Sequence, residues 1–245
     1  MPETIPLTQL LIAAIPALVV VGILFYWQGR YGNALLALVR MLVQLLAVGY
    51  VLAAIFQTKT AWIVGIVLLV MMFVASWISL RTFAKDRLKL LGLKLLGLAF
   101  AAILLGGGVV LMVIVFGVLA VEPWFEPRTV IPLAGMIFAN CMNAVSLAGE
   151  RFVSECGAGK DPLQSRRIAF EASLIPATNS LLAVGLVSIP GMMTGQVLAG
   201  VEPSIAARYQ IMVMCMVYGA AGMSAALFLT LVSREGPLHP KEEGP

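Results

Sequence analysis

Charged residues are scarce in this 245-residue sequence. Asp, Glu, Lys and Arg make up 11% of the residues, whereas hydrophobic residues make up 61% and the mean hydropathy is +1.00. Soluble domains carry about 25% charged residues. So few charges cannot cover a water-exposed surface, and we therefore expect a lipid bilayer to surround most of the chain. The net charge of +4 is then a guide to membrane orientation, and no nucleic-acid partner is expected.

Cysteine and histidine are also scarce. The three cysteines, Cys141, Cys156 and Cys215, do not suggest a framework of paired disulfides, so we expect free thiols. The single histidine, His239, lies in a polar tail, which argues against a histidine-based metal site within one chain. No metal ligands are assigned from the sequence. The amino terminus has no basic region before residues 7–27, so this apolar segment is predicted to be a retained span rather than a cleaved signal peptide.

A phosphate-binding loop is missing as well. The stretch Gly157–Lys160 reads Gly-Ala-Gly-Lys, but the nucleotide motif needs a glycine five residues before its Gly-Lys pair and a hydroxyl residue after it. Ser154 and Asp161 occupy those two places. We therefore expect no nucleotide cofactor in this chain, and any ATP with its Mg²⁺ would be bound by another polypeptide.

Long apolar segments dominate what remains. A membrane helix needs about 20 mostly apolar residues, and lipid requires that the backbone of such a segment be helical. Seven segments qualify, at roughly 7–27, 34–56, 61–80, 95–120, 130–149, 174–198 and 207–232. The sequence therefore predicts an all-α polytopic membrane protein with about seven transmembrane helices. We expect one transmembrane domain over residues 1–233, followed by a polar C-terminal tail, 234–245.

The distribution of basic residues predicts the orientation. With the N-terminus outside, thirteen of the sixteen Lys and Arg residues fall on the cytoplasmic side, and only Lys59, Arg128 and Arg208 fall outside. The C-terminus is then cytoplasmic, as is a polar loop at about 150–173. We expect a multi-pass protein of the inner (plasma) membrane.

The polar loop contains a predicted helix start. Asp161 suits the N-cap position, and Pro162 suits the first helical position. The apolar residues that follow recur at near-helical spacing, and the basic residues project from other faces of the helix. Two interpretations remain open: a basic helix lying on anionic lipid, or a helix on which a soluble subunit docks. The residues predicted for docking are Gly157, Asp161, Leu163, Arg166, Arg167 and Phe170.

Polar residues within the apolar segments form the second group of candidates, because such residues commonly mark transport pathways. The alternative is hydrogen bonding between helices, worth about 0.6 kcal/mol on average in membranes. For the stripe Asn140, Asn143, Ser146 and Glu150, which share helical spacing, we favour a pathway. The full set of pathway candidates is Asn140, Asn143, Ser146, Glu150, Arg40, Gln44, Asn179, Met192 and Met193.

Proline, glycine and methionine are concentrated near the end of the chain. Pro176, Pro190 and Gly191 are hinge candidates, because proline and glycine within a span indicate a break in the helix. Methionines at 192–193 and around Cys215 are consistent with a relay for soft metal ions. Flexible core packing is the favoured interpretation of these methionines.

At these residues the sequence resembles the permease subunits of Fet-type iron-export ABC transporters, whose plant relatives include the membrane component of aluminium-tolerance ABC transporters. The longest similar stretch runs from Val184 to Gly200 and includes Pro-Gly-Met-Met. The other similar stretches are 40–52, 131–137, 140–143, 174–180 and 209–213.

The resemblance implies a permease domain that forms a homodimer and binds two copies of a separate ABC-type ATP-binding subunit. ATP and Mg²⁺ would be held by that partner, which would dock on the loop at about 150–173, and the cargo would be iron or another metal. The chain itself would not be an enzyme. Two alternatives remain open: an ion-gradient-driven transporter or channel that works without an ATPase, and a membrane scaffold that transports nothing.

Overall fold

The structure, a computed structural model, describes residues 6–29, 31–57, 60–83 and 85–234. These residues are helical almost throughout and contain no β-strand, which confirms the predicted all-α class. The chain divides into two compact units, Met1–Thr58 and Lys59–Pro245. The prediction of a single domain stays a prediction. Arg30, Lys59 and the tail residues 235–245, including His239, lie outside the described residues.

The first unit is a pair of helices. Helix α1 is Leu7–Tyr26 and helix α2 is Tyr31–Ile55, joined by a short turn at Trp27–Gly29. None of the described residues of either helix is buried. Because their side chains are almost all apolar, both helices suit a lipid environment.

The second unit contains the remaining helices. They are α3 (Ala61–Ser79), α4 (Lys85–Ile103), α5 (Val109–Met112), α6 (Pro127–Gly157), α7 (Pro162–Ala183), α8 (Gly191–Leu198) and α9 (Pro203–Arg234). Helix α6 packs against α9, α7 and α3, and α9 also packs against α4 and α7. The long helices α6 and α9 therefore form the centre of this unit.

Small residues allow these helices to approach closely. Gly106 faces α9, and a Cβ atom there would lie 2.6 Å from the backbone nitrogen of Ser224 and 2.9 Å from its Cα atom. On the α9 side of the interface, Ala220, Ala221 and Ala225 are buried. Membrane helices have no hydrophobic driving force between them, so close packing of small residues supplies much of their attraction.

Two π-helical segments flank α5. Leu104–Gly108 and Val113–Val118 each widen the helical turn within one continuous apolar span, Gly92–Val118. The first of these segments contains the glycine that contacts α9. Such π-helical turns are frequent at functional sites in helical proteins.

Six described helices are long and apolar enough to cross a membrane, against the predicted count of about seven. The difference lies in the predicted span 174–198, which is not one continuous helix. Helix α7 ends at Ala183, residues 184–190 form a non-helical break, and α8 begins at Gly191. Gly185 has a φ of +80°, a left-handed conformation that ends the helix and that glycine adopts without steric cost.

The stretch predicted as a loop, about 150–173, is helical except at 158–161. Helix α6 continues to Gly157, and α7 begins at Pro162. The backbone N–H of Leu163 donates to the Asp161 carboxylate at 3.0 Å, so the predicted N-cap is confirmed. Gly159, with a φ of +80°, reverses the chain within four residues. The result is a helical hairpin, α6–turn–α7.

Candidate functional site

A groove lies between the first half of α7 and the last part of α9, with a volume of about 570 Å³. Five of the six residues predicted for docking line it together; the sixth, Gly157, ends α6 and does not. The residues that line the groove are Asp161, Leu163, Gln164, Arg166, Arg167, Phe170, Ala226, Leu229 and Thr230. We call this the α7–α9 groove.

The α7–α9 groove presents both charge and apolar surface. The Leu163 side chain is 64% exposed, and Arg167 is exposed beside it. The Arg167 Nε atom donates to the Glu171 carboxylate at 3.1 Å, a pair that is largely solvated. Arg166 is half-buried. A surface of this kind suits an acidic partner segment that also carries apolar side chains.

The turn that leads into the groove is held by a buried carboxylate, Glu155, which is only 6% exposed. Its Oε1 atom lies 2.6 Å from Arg151 Nη2, and its Oε2 atom lies 2.6 Å from Lys160 Nζ. Arg151 belongs to α6, whereas Lys160 belongs to the turn. Glu155 therefore ties the end of α6 to the residues that enter α7.

The largest cavity that we describe lies at the opposite end of these helices and has a volume of about 910 Å³. The start of α6, helix α8, the start of α9 and the segment 119–126 surround it. Its polar lining includes the carboxylates Glu122 and Glu126, the Arg128 guanidinium and the Gln196 amide. The Gln196 amide oxygen is buried without a hydrogen-bond partner. We call this the wide cavity; Met192, a pathway candidate, also lines it.

A narrow cleft of about 80 Å³ lies further along α6 and contains Asn140 and Asn143. It is also lined by Ser173, Pro176 and Ser180 of α7 and by Ala221 of α9. The Asn140 side-chain nitrogen donates to the Met136 carbonyl of its own helix at 2.8 Å. The cleft, which we call the Asn cleft, has less than a tenth of the volume of the wide cavity.

One face of α6 joins the two cavities. Thr129, Pro132 and Met136 line the wide cavity, and Asn140, Asn143 and Leu147 line the Asn cleft. These positions are three or four residues apart, so they lie above one another on the helix surface. A continuous stripe of α6 therefore borders both the wide cavity and the much smaller Asn cleft.

The α7–α9 groove and the wide cavity are separated by about one membrane thickness. Tyr209 lines the wide cavity and Leu229 lines the groove, twenty positions apart on α9. At 1.5 Å per residue this separation is about 30 Å, which equals the hydrocarbon thickness of a typical bilayer.

The other pathway candidates lie elsewhere. Arg40 and Gln44 are on α2 of the first unit, one turn apart. Ser146 and Glu150 follow the asparagine pair on α6 but are not part of the Asn cleft lining. Asn179 is exposed on α7. Their roles in transport stay predictions.

The hinge candidates and Met193 surround the second half of the predicted span 174–198. Pro176 lies within the continuous helix α7 and borders the Asn cleft. Pro190 is the N-cap of α8 and Gly191 its first residue, directly after the break. Met193 and Pro190 line a separate cavity beside the break. The break therefore ends at Pro190. The hinge assignment stays a prediction.

Among the described residues, no group of three or more His, Cys, Asp or Glu side chains is arranged to hold a metal ion. The cysteines are free thiols, as predicted. Sequence reasoning did not single out Glu155, Glu122 or Glu126. For Glu155, the basic residues Arg151 and Lys160 on either side in the sequence could have indicated an ion-paired carboxylate.

The long apolar helices and the cavities between them define a polytopic α-helical membrane protein. Residues 7–236 match a family model described as "Uncharacterised protein family (UPF0014)", and the chain belongs to this family.

Several curated proteins are similar over most of their length. The chain is 37% identical over 232 residues to the UPF0014 membrane protein slr1647 of Synechocystis sp., covering 86% of each chain. It is 36% identical over 236 residues to the probable iron export permease protein FetB of Escherichia coli, covering 89% of this chain and 88% of that protein. It is 31% identical over 231 residues to the protein ALUMINUM SENSITIVE 3 of Arabidopsis thaliana, covering 87% and 81%. No solved structure matches the chain.

Proposed function

We propose that this chain is the membrane-spanning permease subunit of an ABC transporter that exports iron or another metal ion. A separate ATP-binding subunit would dock in the α7–α9 groove and supply the energy. The observation that carries the proposal is the placement of this groove and the wide cavity at opposite ends of α9. Similarity to the iron export permease FetB over 89% of the chain supports the cargo class.

The α7–α9 groove is suited to receive a mechanical input. A partner seated there contacts α7 and α9 at once, and both helices pack against α6. The Glu155 ion pairs join α6 to the turn before α7, so the hairpin moves as a unit. A displacement of the hairpin therefore reaches the stripe of α6 that borders the Asn cleft.

The cavities suit the passage of a cation. Glu122 and Glu126 give the wide cavity two carboxylates, whereas the Asn cleft offers neutral amide oxygens. Oxygen ligands favour hard cations such as iron ions. We place the pathway through both spaces, of which the wide cavity is the larger and the Asn cleft the narrower in the described conformation. Hydrolysis in the partner would drive the opposite arrangement, with the chain working as a homodimer in the inner membrane.

Copurification tests the docking surface. The full chain is coexpressed with the ABC-type ATP-binding subunit of its organism, and the amount of subunit retained on the purified permease is measured. Arg166→Glu combined with Arg167→Glu should abolish retention, because both changes reverse charge in the groove. Arg208→Glu, at the far end of α9, should leave retention unchanged.

A charge swap separates docking from helix stability. Arg167→Glu with Glu171→Arg preserves an ion pair between the two positions. It places the negative charge at 167, in the groove, and the positive charge at 171. This variant should also lose the subunit while purifying in normal yield. Normal retention by both groove variants would overturn the docking assignment. ATP-independent transport by the chain alone would instead favour the ion-gradient transporter or channel.

A further inference from the structure

The helix break at 184–190 borders a cavity that the proposed pathway does not use. This cavity has a volume of about 490 Å³ and lies where α7, α8 and α9 meet. Val184, Gly185, Ile189 and Pro190 contribute the break side of its wall. Its remaining lining is almost entirely apolar, apart from one amide and a group of sulfur atoms. We call it the break cavity.

Three sulfur-bearing side chains line the break cavity. Met193 comes from α8, and Met214 and Cys215 come from α9. Cys215 is a free thiol on an exposed part of α9. Thioethers and thiolates are ligands for soft metal ions such as Cu(I). Packing alone accounts for methionines in a core, so the sulfur atoms need an independent observation beside them.

Gln210 provides that observation. It lines the same cavity, its side chain is 5% exposed, and its amide oxygen is buried without a hydrogen-bond partner. An unpaired buried amide costs about 1–3 kcal/mol in proteins, and a bilayer interior offers no water to satisfy it. A bound cation would satisfy this oxygen within the cavity that the three sulfur-bearing side chains also line.

We propose that the break cavity binds a single soft, monovalent metal ion of the Cu(I) class, through Cys215, Met193, Met214 and the Gln210 oxygen. Binding replaces the Cys215 proton: the S–H bond breaks, a metal–sulfur bond forms, and the proton leaves to water. No electrons are transferred. The bound ion joins Met193 of α8 to Cys215 of α9 beside the break.

Charge balance selects the monovalent class. One thiolate with one monovalent ion gives a neutral complex, which an apolar cavity accepts. A divalent or trivalent ion at the same thiolate would leave one or two uncompensated charges, and burying such charges is costly. Iron(III) and Al³⁺ are additionally hard ions that prefer oxygen ligands. This site therefore differs in ligand class from the proposed cargo route and does not depend on it.

Silver(I), a stable analogue of Cu(I), is the probe. Titration of the full chain carrying Cys156→Ser, in lipid nanodiscs with a competing chelator, should give one tight site per chain and release of one proton per ion. Adding Cys215→Ser should lower the affinity more than about tenfold, the scale on which even supporting groups affect metal sites, and abolish proton release. Adding Met193→Leu or Met214→Leu should weaken binding, whereas Met223→Leu, a methionine of α9 outside the cavity, should not.

Alkylation provides a readout that needs no variant. In the natural chain, with the competing chelator present, Ag⁺ should protect Cys215 from a small maleimide more strongly than it protects Cys156 in the same molecule. The proposal is overturned if Cys215 remains unprotected, if the Cys215→Ser chain binds Ag⁺ as tightly as its parent, or if Fe²⁺ or Al³⁺ competes for the site as strongly as Ag⁺.

Discussion

At the residue scale, small side chains determine how closely the helices of the second unit pack. Gly106 leaves no room for a methyl group, because the α9 backbone at Ser224 lies against it. Gly97, on the same apolar span, has open space around the position of a Cβ atom. A side chain is therefore sterically excluded at Gly106 but not at Gly97.

Replacing Gly106 by alanine should destabilise the protein. The new methyl group forces α9 away from the π-helical segment, and overpacking of this kind costs about 1–3 kcal/mol. The melting temperature of the purified protein in detergent should fall. Gly97→Ala should leave it unchanged or raise it, because alanine favours helix by about 1 kcal/mol over glycine. Equal melting temperatures for the two variants would contradict the close contact.

Glu155 is the other residue whose environment decides its role. Replacing it by glutamine keeps its shape but removes the charge shared by Arg151 and Lys160. Because the two cations are half-exposed, solvent screens these ion pairs in part, and their loss should loosen the turn without unfolding the helices. Hydrogen exchange at residues 158–161 should accelerate in Glu155→Gln.

The exposed pair Arg167–Glu171 supplies the control. Exposed helix pairs contribute about 0.3–0.5 kcal/mol, so Glu171→Gln should leave exchange in the turn unchanged. Slow exchange in Glu155→Gln, equal to that of the natural chain, would show that the turn does not depend on the buried carboxylate.

The sequence predicted the local features of this region but not the tertiary ones. Asp161 as N-cap depends only on its neighbours, so residue preferences identified it correctly. The burial of Glu155 depends on how α6 packs, which no local pattern reports. The five docking candidates could be placed on one helix from their spacing, whereas the α9 side of the groove required the three-dimensional arrangement.

At the element scale, hydropathy located the helices better than it located their ends. The predicted span 130–149 lies within helix α6, Pro127–Gly157, because no proline interrupts the polar residues that follow it and the first left-handed residue is Gly159. Hydropathy reports which residues suit lipid, and a helix continues into polar sequence when nothing stops it. The same reasoning explains why α9, Pro203–Arg234, extends beyond its predicted span, 207–232.

The break in the predicted span 174–198 was anticipated in kind but misplaced by a few residues. Proline and glycine at 190–191 indicated an interruption, yet the chain leaves the helix at Val184, before the left-handed Gly185. The left-handed conformation of Gly185 follows from the chain geometry around it, which composition does not encode.

Replacing Gly185 by alanine should strain the break. A left-handed conformation costs an L-residue about 1–2 kcal/mol, so the melting temperature should fall. Gly195→Ala, within helix α8 and facing open space, should have no such effect. If Gly185→Ala melted at or above the temperature of the natural chain, the left-handed break would be contradicted.

At the scale of the whole molecule, α6 connects the α7–α9 groove, where we propose that the partner docks, to the proposed pathway. Its end carries the hairpin that leads into the α7–α9 groove, and one of its faces borders both the wide cavity and the Asn cleft. The proposal therefore separates docking from conduction, and variants in the two places should have different consequences.

Asn143→Leu tests the conduction part. The change removes an amide and adds apolar bulk in the Asn cleft, so metal transport in reconstituted vesicles should fall about tenfold or more, a barrier increase of about 1.4 kcal/mol. Copurification of the ATP-binding subunit should be unaffected. Asn33→Leu, an exposed asparagine of α2 that is not a pathway candidate, is the matched comparison and should transport normally. Equal transport by both variants would contradict a pathway through the cleft.

The central claim is that a separate ATP-binding subunit drives this chain through the α7–α9 groove. Its most direct test is Fe²⁺ movement across vesicle membranes that contain the purified chain, measured with and without the ATP-binding subunit. The account predicts transport only when the subunit, ATP and Mg²⁺ are all present, and its loss with Arg166→Glu and Arg167→Glu. Full-rate transport by the chain alone would contradict it.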